Sequence, residues 1–135
     1  MSIKSSVDHP NRLIYGFFSG PLTLVELAGF AREVVSSGLL HYRKLFHVVE
    51  AKPDFTEREM AAMAQVLREQ PVKIPRGPMA FVIDPERGDI VKLFASLDVE
   101  GRPAKVFRSV HDARKWLGEQ PVADEREPPK PRLVK

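Results

Sequence analysis

Residues 44–67, KLFHVVEAKPDFTEREMAAMAQVL, decide the fold. The first part, Lys44–Ala51, is almost continuously apolar, as expected for a central strand that is buried on both faces. A helix start follows, in which Thr56 and Glu59 have capping-box spacing and Phe55 and Met60 flank them as a hydrophobic staple. The apolar residues that follow recur at helical spacing: Met60, Met63, Ala64 and Leu67. Such a methionine stripe is far more typical of a core face than of a cofactor site.

The same alternation of strand and capped helix extends in both directions. Further strands are predicted at Ile3–Val7, Leu13–Phe18, Met79–Ile83 and Lys105–Phe107, with Ser19-Gly20-Pro21 ending the second. Further helices are predicted from the apolar faces of residues 24–35, 90–97 and 110–117, the last of which includes Trp116. The predicted order is β-β-α-β-α-β-α-β-α, an α/β domain in which helices pack on a mixed five-stranded sheet. The first two strands should form an antiparallel hairpin, and the helical crossovers should be right-handed and join parallel strands.

The chain has 135 residues, which fits one domain, and we place that domain at residues 1–118. Residues 119–135 are rich in proline and charge, with Pro121, Pro128, Pro129 and Pro131 among them. A segment of this composition buries too little apolar surface to offset its ordering entropy, so we predict a disordered tail that folding does not need.

Composition excludes several classes of protein. The chain has no cysteine, which excludes disulfides, cysteine zinc sites and cysteine nucleophiles. The net charge of +3 is far from the dense basic stripe of a nucleic-acid-binding protein, and we predict no such partner. No stretch is apolar over the roughly 18 residues that span a bilayer, and residues 1–10 lack the apolar region of a signal peptide. We therefore expect a cytoplasmic protein without a stable membrane span.

Candidate site residues follow the strands that are predicted to be buried. Glu50, Asp54 and Asp84 lie near the carboxyl ends of neighbouring strands, the edge at which open α/β sheets bind ligands. Clustered carboxylates at this edge would suit a divalent cation or a shared proton, but solvated strand ends explain them more simply. Thr56, beside Glu57, occupies a helix N-terminus, where a phosphate group would meet unpaired N–H groups, although a capping threonine needs no other role.

No other motif points to catalysis or to a cofactor. The four histidines lack the spacing of zinc ligands, and His47, inside a strand, is typical of a core histidine. No glycine-rich phosphate loop and no nucleophile elbow occur. We therefore predict no metal site, no cofactor and no enzymatic activity.

Several local sequences resemble the STAS (anti-sigma-factor-antagonist-like) superfamily, and within it the SpoIIAA-like proteins. They are Gly20-Pro21-Leu22-Thr23 before the first helix, Val48-Val49-Glu50 ending the central strand, Met79–Ile83, and above all Val106-Phe107-Arg108-Ser109 followed by Ala113 and Trp116-Leu117. The resemblance covers residues 3–118 and implies a regulatory or ligand-binding fold. It also implies partner docking at the start of the second helix, where relatives carry a phosphorylated serine in an Asp-Ser-Ser-Gly motif. This chain has Asp54-Phe55-Thr56-Glu57 there, with Thr56 as the one hydroxyl.

Two functions are consistent with these features. The first is a non-enzymatic regulatory or protein-interaction domain that acts through Glu50, Asp54, Thr56, Glu57 and Asp84. The alternative is a small protein that binds an apolar or lipid-like ligand between the helices and the sheet. A protein partner, an apolar ligand and a second copy of the chain are all compatible with the sequence.

Overall fold

The computed structural model describes residues 3–69, 76–95 and 103–120. These residues form five strands and four helices in the order predicted from the sequence. The elements are β1 (Ile3–Asp8), β2 (Leu13–Leu22), α1 (Leu24–Ser36), β3 (Arg43–Pro53), α2 (Glu57–Arg68), β4 (Met79–Ile83), α3 (Gly88–Ala95), β5 (Ala104–Phe107) and α4 (Val110–Gly118). Residues 121–135 of the predicted tail and Leu97 lie outside the described residues, whereas Glu119, the first residue of that tail, is the C-cap of α4.

The strands lie in the sheet in sequence order, β1-β2-β3-β4-β5. β1 and β2 form the predicted antiparallel hairpin, while β2, β3, β4 and β5 pair in parallel. A mixed five-stranded α/β sheet is therefore confirmed, with β3 at its centre.

Three helices cover one face of the sheet and α4 covers part of the other. On the first face, Leu27 of α1, Met60 of α2 and Phe94 of α3 pack in one core with the larger strand side chains. On the second face, Ala113 and Leu117 of α4 pack on strand residues Leu13, Leu45, Ala80 and Val82. Strand residues alternate between the two cores because successive side chains of a strand point to opposite faces.

Capping boxes are present at α1 and at α2, where Thr56 and Glu59 were predicted to form one. At α1, the Glu26 N–H donates to Thr23 Oγ1 at 3.1 Å, and the Thr23 N–H donates back to Glu26 Oε1 at 3.2 Å. At α2, the Glu59 N–H donates to Thr56 Oγ1 at 3.1 Å, and the Thr56 N–H donates to Glu59 Oε1 at 2.8 Å. Local chemistry thus sets both helix starts.

One predicted boundary is wrong. Ser19-Gly20-Pro21 does not end the second strand, which continues to Leu22 and pairs there with Pro53 of β3. Gly20 has a φ of 67°, a left-handed conformation that glycine adopts without steric cost, so the strand bends there instead of ending.

Within the described residues, no helix has the length and apolar character needed to cross a bilayer.

Candidate functional site at the carboxyl edge of the sheet

The candidate site lies where β3 extends past its neighbour β4. The pairing of these two strands ends at Val48 opposite Ile83, yet β3 continues to Pro53. The extension, residues 49–53, is supported by β2 on one side, where Ala51 pairs with Gly20. This projecting end of β3, together with the residues that follow β3 and β4, is called the carboxyl edge below.

Glu50 lies in a β-bulge within this extension. Phe18 pairs with Val48 and Gly20 pairs with Ala51, so Val49 and Glu50 together face the single residue Ser19. Glu50 has a φ of 53°, a left-handed conformation that costs a non-glycine residue about 1–2 kcal/mol. The bulge leaves the Glu50 side chain exposed at the edge.

Arg87, just before α3, fixes the extension from the other side. Its Nη2 donates a hydrogen bond to the Ala51 carbonyl oxygen. Its Nη1 is buried and has no hydrogen-bond partner among the described residues. Sequence reasoning missed Arg87, because nothing in a loop arginine indicates that its guanidinium will reach a strand 36 residues earlier in the chain.

Asp84 and Thr56 are both occupied by local hydrogen bonds. Asp84 Oδ1 accepts the Glu86 N–H at 2.9 Å, and the Asp84 carbonyl oxygen accepts the Arg87 N–H at 3.0 Å, which together form a tight turn. Thr56 Oγ1 serves as the cap of α2. These contacts are what a turn aspartate and a capping threonine provide in any protein.

The structure brings the five predicted residues to one edge but not into one cluster. Asp84 follows Ile83 and therefore lies next to the bulge that contains Glu50. Asp54, whose N–H donates to the Leu22 carbonyl oxygen at 3.1 Å, is four residues further along, about 13 Å at the usual strand rise. All five side chains are exposed: Glu50, Asp54, Thr56, Glu57 and Asp84. Among the described residues, no three metal-binding side chains converge on one point.

An apolar patch next to this edge was not predicted from the sequence. Phe17 is 52% exposed and Val49 is 39% exposed, and both point to the face of the sheet that α4 covers only in part. The ring of His47, predicted as a core histidine, is only half-buried and lies 5.4 Å from the Phe17 ring. The sequence signal was the apolar run Leu13–Phe18, in which polar and apolar residues do not alternate. A strand with one solvent-facing side usually shows that alternation.

A buried polar cluster at the opposite end of the sheet was also missed. Lys44 Nζ donates to the carbonyl oxygens of Leu40 and Tyr42, both at 2.7 Å, and the Tyr42 hydroxyl is 2.8 Å from His9 Nδ1. These contacts fix the turn before β3. The Lys44 contacts are to backbone carbonyl groups, and the cluster lies away from the carboxyl edge, so we assign it a structural role.

Over β2, β3 and β4, aromatic rings pack between the three-helix layer and the sheet. Phe46 stacks on Phe18 with ring centroids 5.0 Å apart, and Phe81 lies 5.4 Å from Phe46 and 4.9 Å from Phe94. The apolar-ligand alternative placed its ligand in this layer, where the described side chains are closely packed.

In comparisons with known proteins, no family model, no curated protein and no solved structure matches the chain.

Proposed function

We propose that the chain is a non-enzymatic regulatory or protein-interaction domain of STAS-like type, which docks a protein partner at the carboxyl edge. The order of strands and helices is compatible with that superfamily, and the closing sequence Val106–Ser109 with Trp116-Leu117 motivates the assignment. The proposed surface consists of Glu50, Asp54, Thr56, Glu57 and Asp84, with Phe17 and Val49 beside them.

The exposed Phe17 beside the acidic edge is the observation that carries this proposal. Protein interfaces combine an apolar centre, often aromatic, with a polar rim. Phe17 and Val49 supply such a centre; Glu50 directly follows Val49, and Asp84 follows Ile83, the residue that pairs with Val48. The left-handed Glu50 adds support, because strained residues concentrate at functional sites.

The charges at this edge define the chemistry of the partner. Four of the five site residues carry carboxylates, and these would repel a bound phosphate or another acidic surface. A partner that presents basic side chains around an apolar one would complement both the rim and the centre. The established uses of Thr56 and Asp84, as a cap and a turn, favour binding over catalysis at this site.

A pull-down with charge-reversed protein tests the proposal. The double variant Asp54→Lys/Glu57→Lys and the single variant Phe17→Thr should each lose a partner that the wild-type chain retains. The double variant Glu69→Lys/Glu119→Lys is the matched control, because it makes the same charge change as the first variant at exposed positions just after α2 and α4, away from the carboxyl edge. Loss of the partner in the control as well, or retention in all variants, contradicts the proposal. Detection of a bound small molecule by native mass spectrometry, as a mass added to that of the protein, would favour the apolar-ligand alternative.

The hydroxyl of Thr56 is tested separately as a switch. Thr56→Asp keeps a capping oxygen, whereas Thr56→Ala loses the cap and about 1 kcal/mol of stability. If phosphorylation at Thr56 regulates docking, Thr56→Asp should lose a partner that Thr56→Ala retains. Identical partners for both variants and the wild type would leave Thr56 as a helix cap only.

A further inference from the structure

A second surface lies at the opposite edge of the sheet, between β1 and α1. In the sheet formed by the described residues, β1 pairs on one side only, with β2. An edge strand has backbone N–H and C=O groups that point outward and can pair with another extended segment. Beside this edge is a groove of about 240 Å³, lined by Ile3, Ser5, Glu26, Gly29, Phe30 and Glu33.

The helix side of the groove carries two carboxylates around one aromatic ring: that of Glu33, which is exposed, and that of Glu26, which keeps its negative charge while it accepts the Thr23 N–H in the capping box of α1. Glu26, Phe30 and Glu33 are spaced i, i+4 and i+7, so they lie along one stripe of α1. At 1.5 Å per residue, the carboxylates are about 10 Å apart along the helix, with the ring between them. Phe30 packs edge-on against Phe46 with centroids 5.7 Å apart, which anchors the ring as the floor of the groove.

Glycine 29 opens the groove in the middle of the helix. A Cβ atom built at Gly29 would meet nothing within 4 Å. Glycine in a helix interior costs roughly 1 kcal/mol relative to alanine, and neither a turn nor a close contact requires it here. Its effect is to leave this position of the groove lining without a side chain.

We propose that this groove binds an extended basic segment of a protein partner by β-strand addition to β1. The backbone of the segment pairs with the outer edge of β1, and its alternate side chains point towards α1. A basic residue, an apolar residue and a second basic residue at positions i, i+2 and i+4 span about 13 Å. Because basic side chains are long and flexible, the two basic residues can reach Glu26 and Glu33 although the carboxylates are closer together than the peptide residues. The apolar residue between them contacts Phe30. The charge of Glu26 and Glu33 selects a basic occupant over an acidic one.

This docking mode differs from that at the carboxyl edge because main-chain hydrogen bonds supply affinity and alternate side chains supply specificity. The proposal is independent of the function proposed above. Lys4, the cation of β1, does not line the groove, because it belongs to the alternate set of strand residues whose side chains point to the opposite face.

The test uses the capped peptide Thr-Arg-Thr-Val-Thr-Arg-Thr, labelled with fluorescein and titrated with the full chain in an anisotropy assay. Saturable binding is expected, and Glu33→Lys should weaken it about two- to fivefold. Gly29→Leu should abolish binding by filling the groove, since the fold has space for the side chain. Glu119→Lys, at an exposed position just after α4 on the opposite face of the sheet, is the matched control and should bind as the wild type does. The peptide with glutamate in place of arginine should not bind.

Two N-methylated peptides test strand addition itself. Each carries methyl groups on one alternating set of residues, and only one set can donate to β1. One peptide should therefore lose binding and the other retain it. In two-dimensional NMR spectra, the amide shifts should concentrate in residues 3–8 and 26–33.

The proposal is overturned if no saturable binding occurs up to about 1 mM peptide, a weak limit for a specific contact. It is also overturned if both methylated peptides bind equally, or if Glu33→Lys and Gly29→Leu leave the affinity unchanged. Shifts confined to residues 50–57 would assign the peptide to the carboxyl edge and would likewise contradict strand addition at β1.

Discussion

At the scale of single residues, the backbone at two positions constrains what the side chain can be. Glu50 adopts a φ of 53° in the β3 bulge, and Gly77 lies directly against the backbone of residues 41 and 42. Neither constraint arises from a neighbour in sequence. Each results from contact with a segment distant in sequence: β2 opposite Glu50, and the residues just before β3 against Gly77.

Glycine should be the more stable substitution at position 50. Glycine adopts the left-handed conformation without steric cost, whereas alanine retains the strain. The free energy of unfolding of Glu50→Gly should therefore be about 1 kcal/mol higher than that of Glu50→Ala. Urea denaturation of both variants measures the difference. An alanine variant that equals or exceeds the glycine variant would show that the bulge relaxes without the glutamate.

Alanine at position 77 should be strongly destabilising. The added Cβ would lie 2.2 Å from the Tyr42 carbonyl oxygen and 2.6 Å from that of His41, and backbone atoms cannot move aside cheaply. We expect a loss of about 3 kcal/mol, the upper range for overpacking. Gly88→Ala is the control, because a Cβ there meets nothing within 4 Å. Equal thermal midpoints for the two variants would contradict the close approach.

At the scale of elements, the helices begin where local chemistry dictates, while their burial depends on their neighbours. Val35 was expected on the apolar face of α1 but is 40% exposed, whereas Leu27 and Val34 are buried. The helical spacing of apolar residues therefore predicted which face of α1 is buried. It did not predict how far along that face the core extends.

Gly29→Ala should stabilise α1. The residue is helical, exposed and without a close neighbour, so the change should add about 0.8–1 kcal/mol of unfolding free energy by removing the conformational cost of glycine. Chemical denaturation measures the effect. A destabilised Gly29→Ala variant would mean that the glycine conformation is required, and the groove would then need another explanation.

At the scale of the whole molecule, the core is divided by the sheet into a large aromatic cluster and a smaller one beneath α4. Phe81 is 1% exposed and contacts the rings of Phe46 and Phe94. Trp116, expected on the core face of the last helix, is only half-buried and lies 5.6 Å from the ring of Phe107. The single α4 covers its face of the sheet incompletely, and Phe17 remains exposed for the same reason.

The two aromatic residues should therefore differ in their contribution to stability. Phe81→Ala should cost about 3–5 kcal/mol, as for a fully buried phenylalanine. Trp116→Ala should cost less, because part of the Trp116 side chain already faces water. Equilibrium unfolding of both variants provides the comparison, and a Trp116→Ala loss equal to that of Phe81→Ala would indicate that α4 covers the ring more fully.

The sequence by itself determined the order of strands and helices, the capping of α1 and α2, and the five polar residues at the carboxyl edge. These features depend on the spacing of residues within one segment, and that spacing is visible in the chain. Only the tertiary structure decided that β2 continues past Ser19, that Glu50 forms a bulge, and that Arg87 binds Ala51. It also decided which part of each sheet face stays exposed and that a groove opens between β1 and α1. Each of these depends on segments far apart in sequence, because a strand continues only where a partner strand pairs with it and a side chain is buried only where another element covers it.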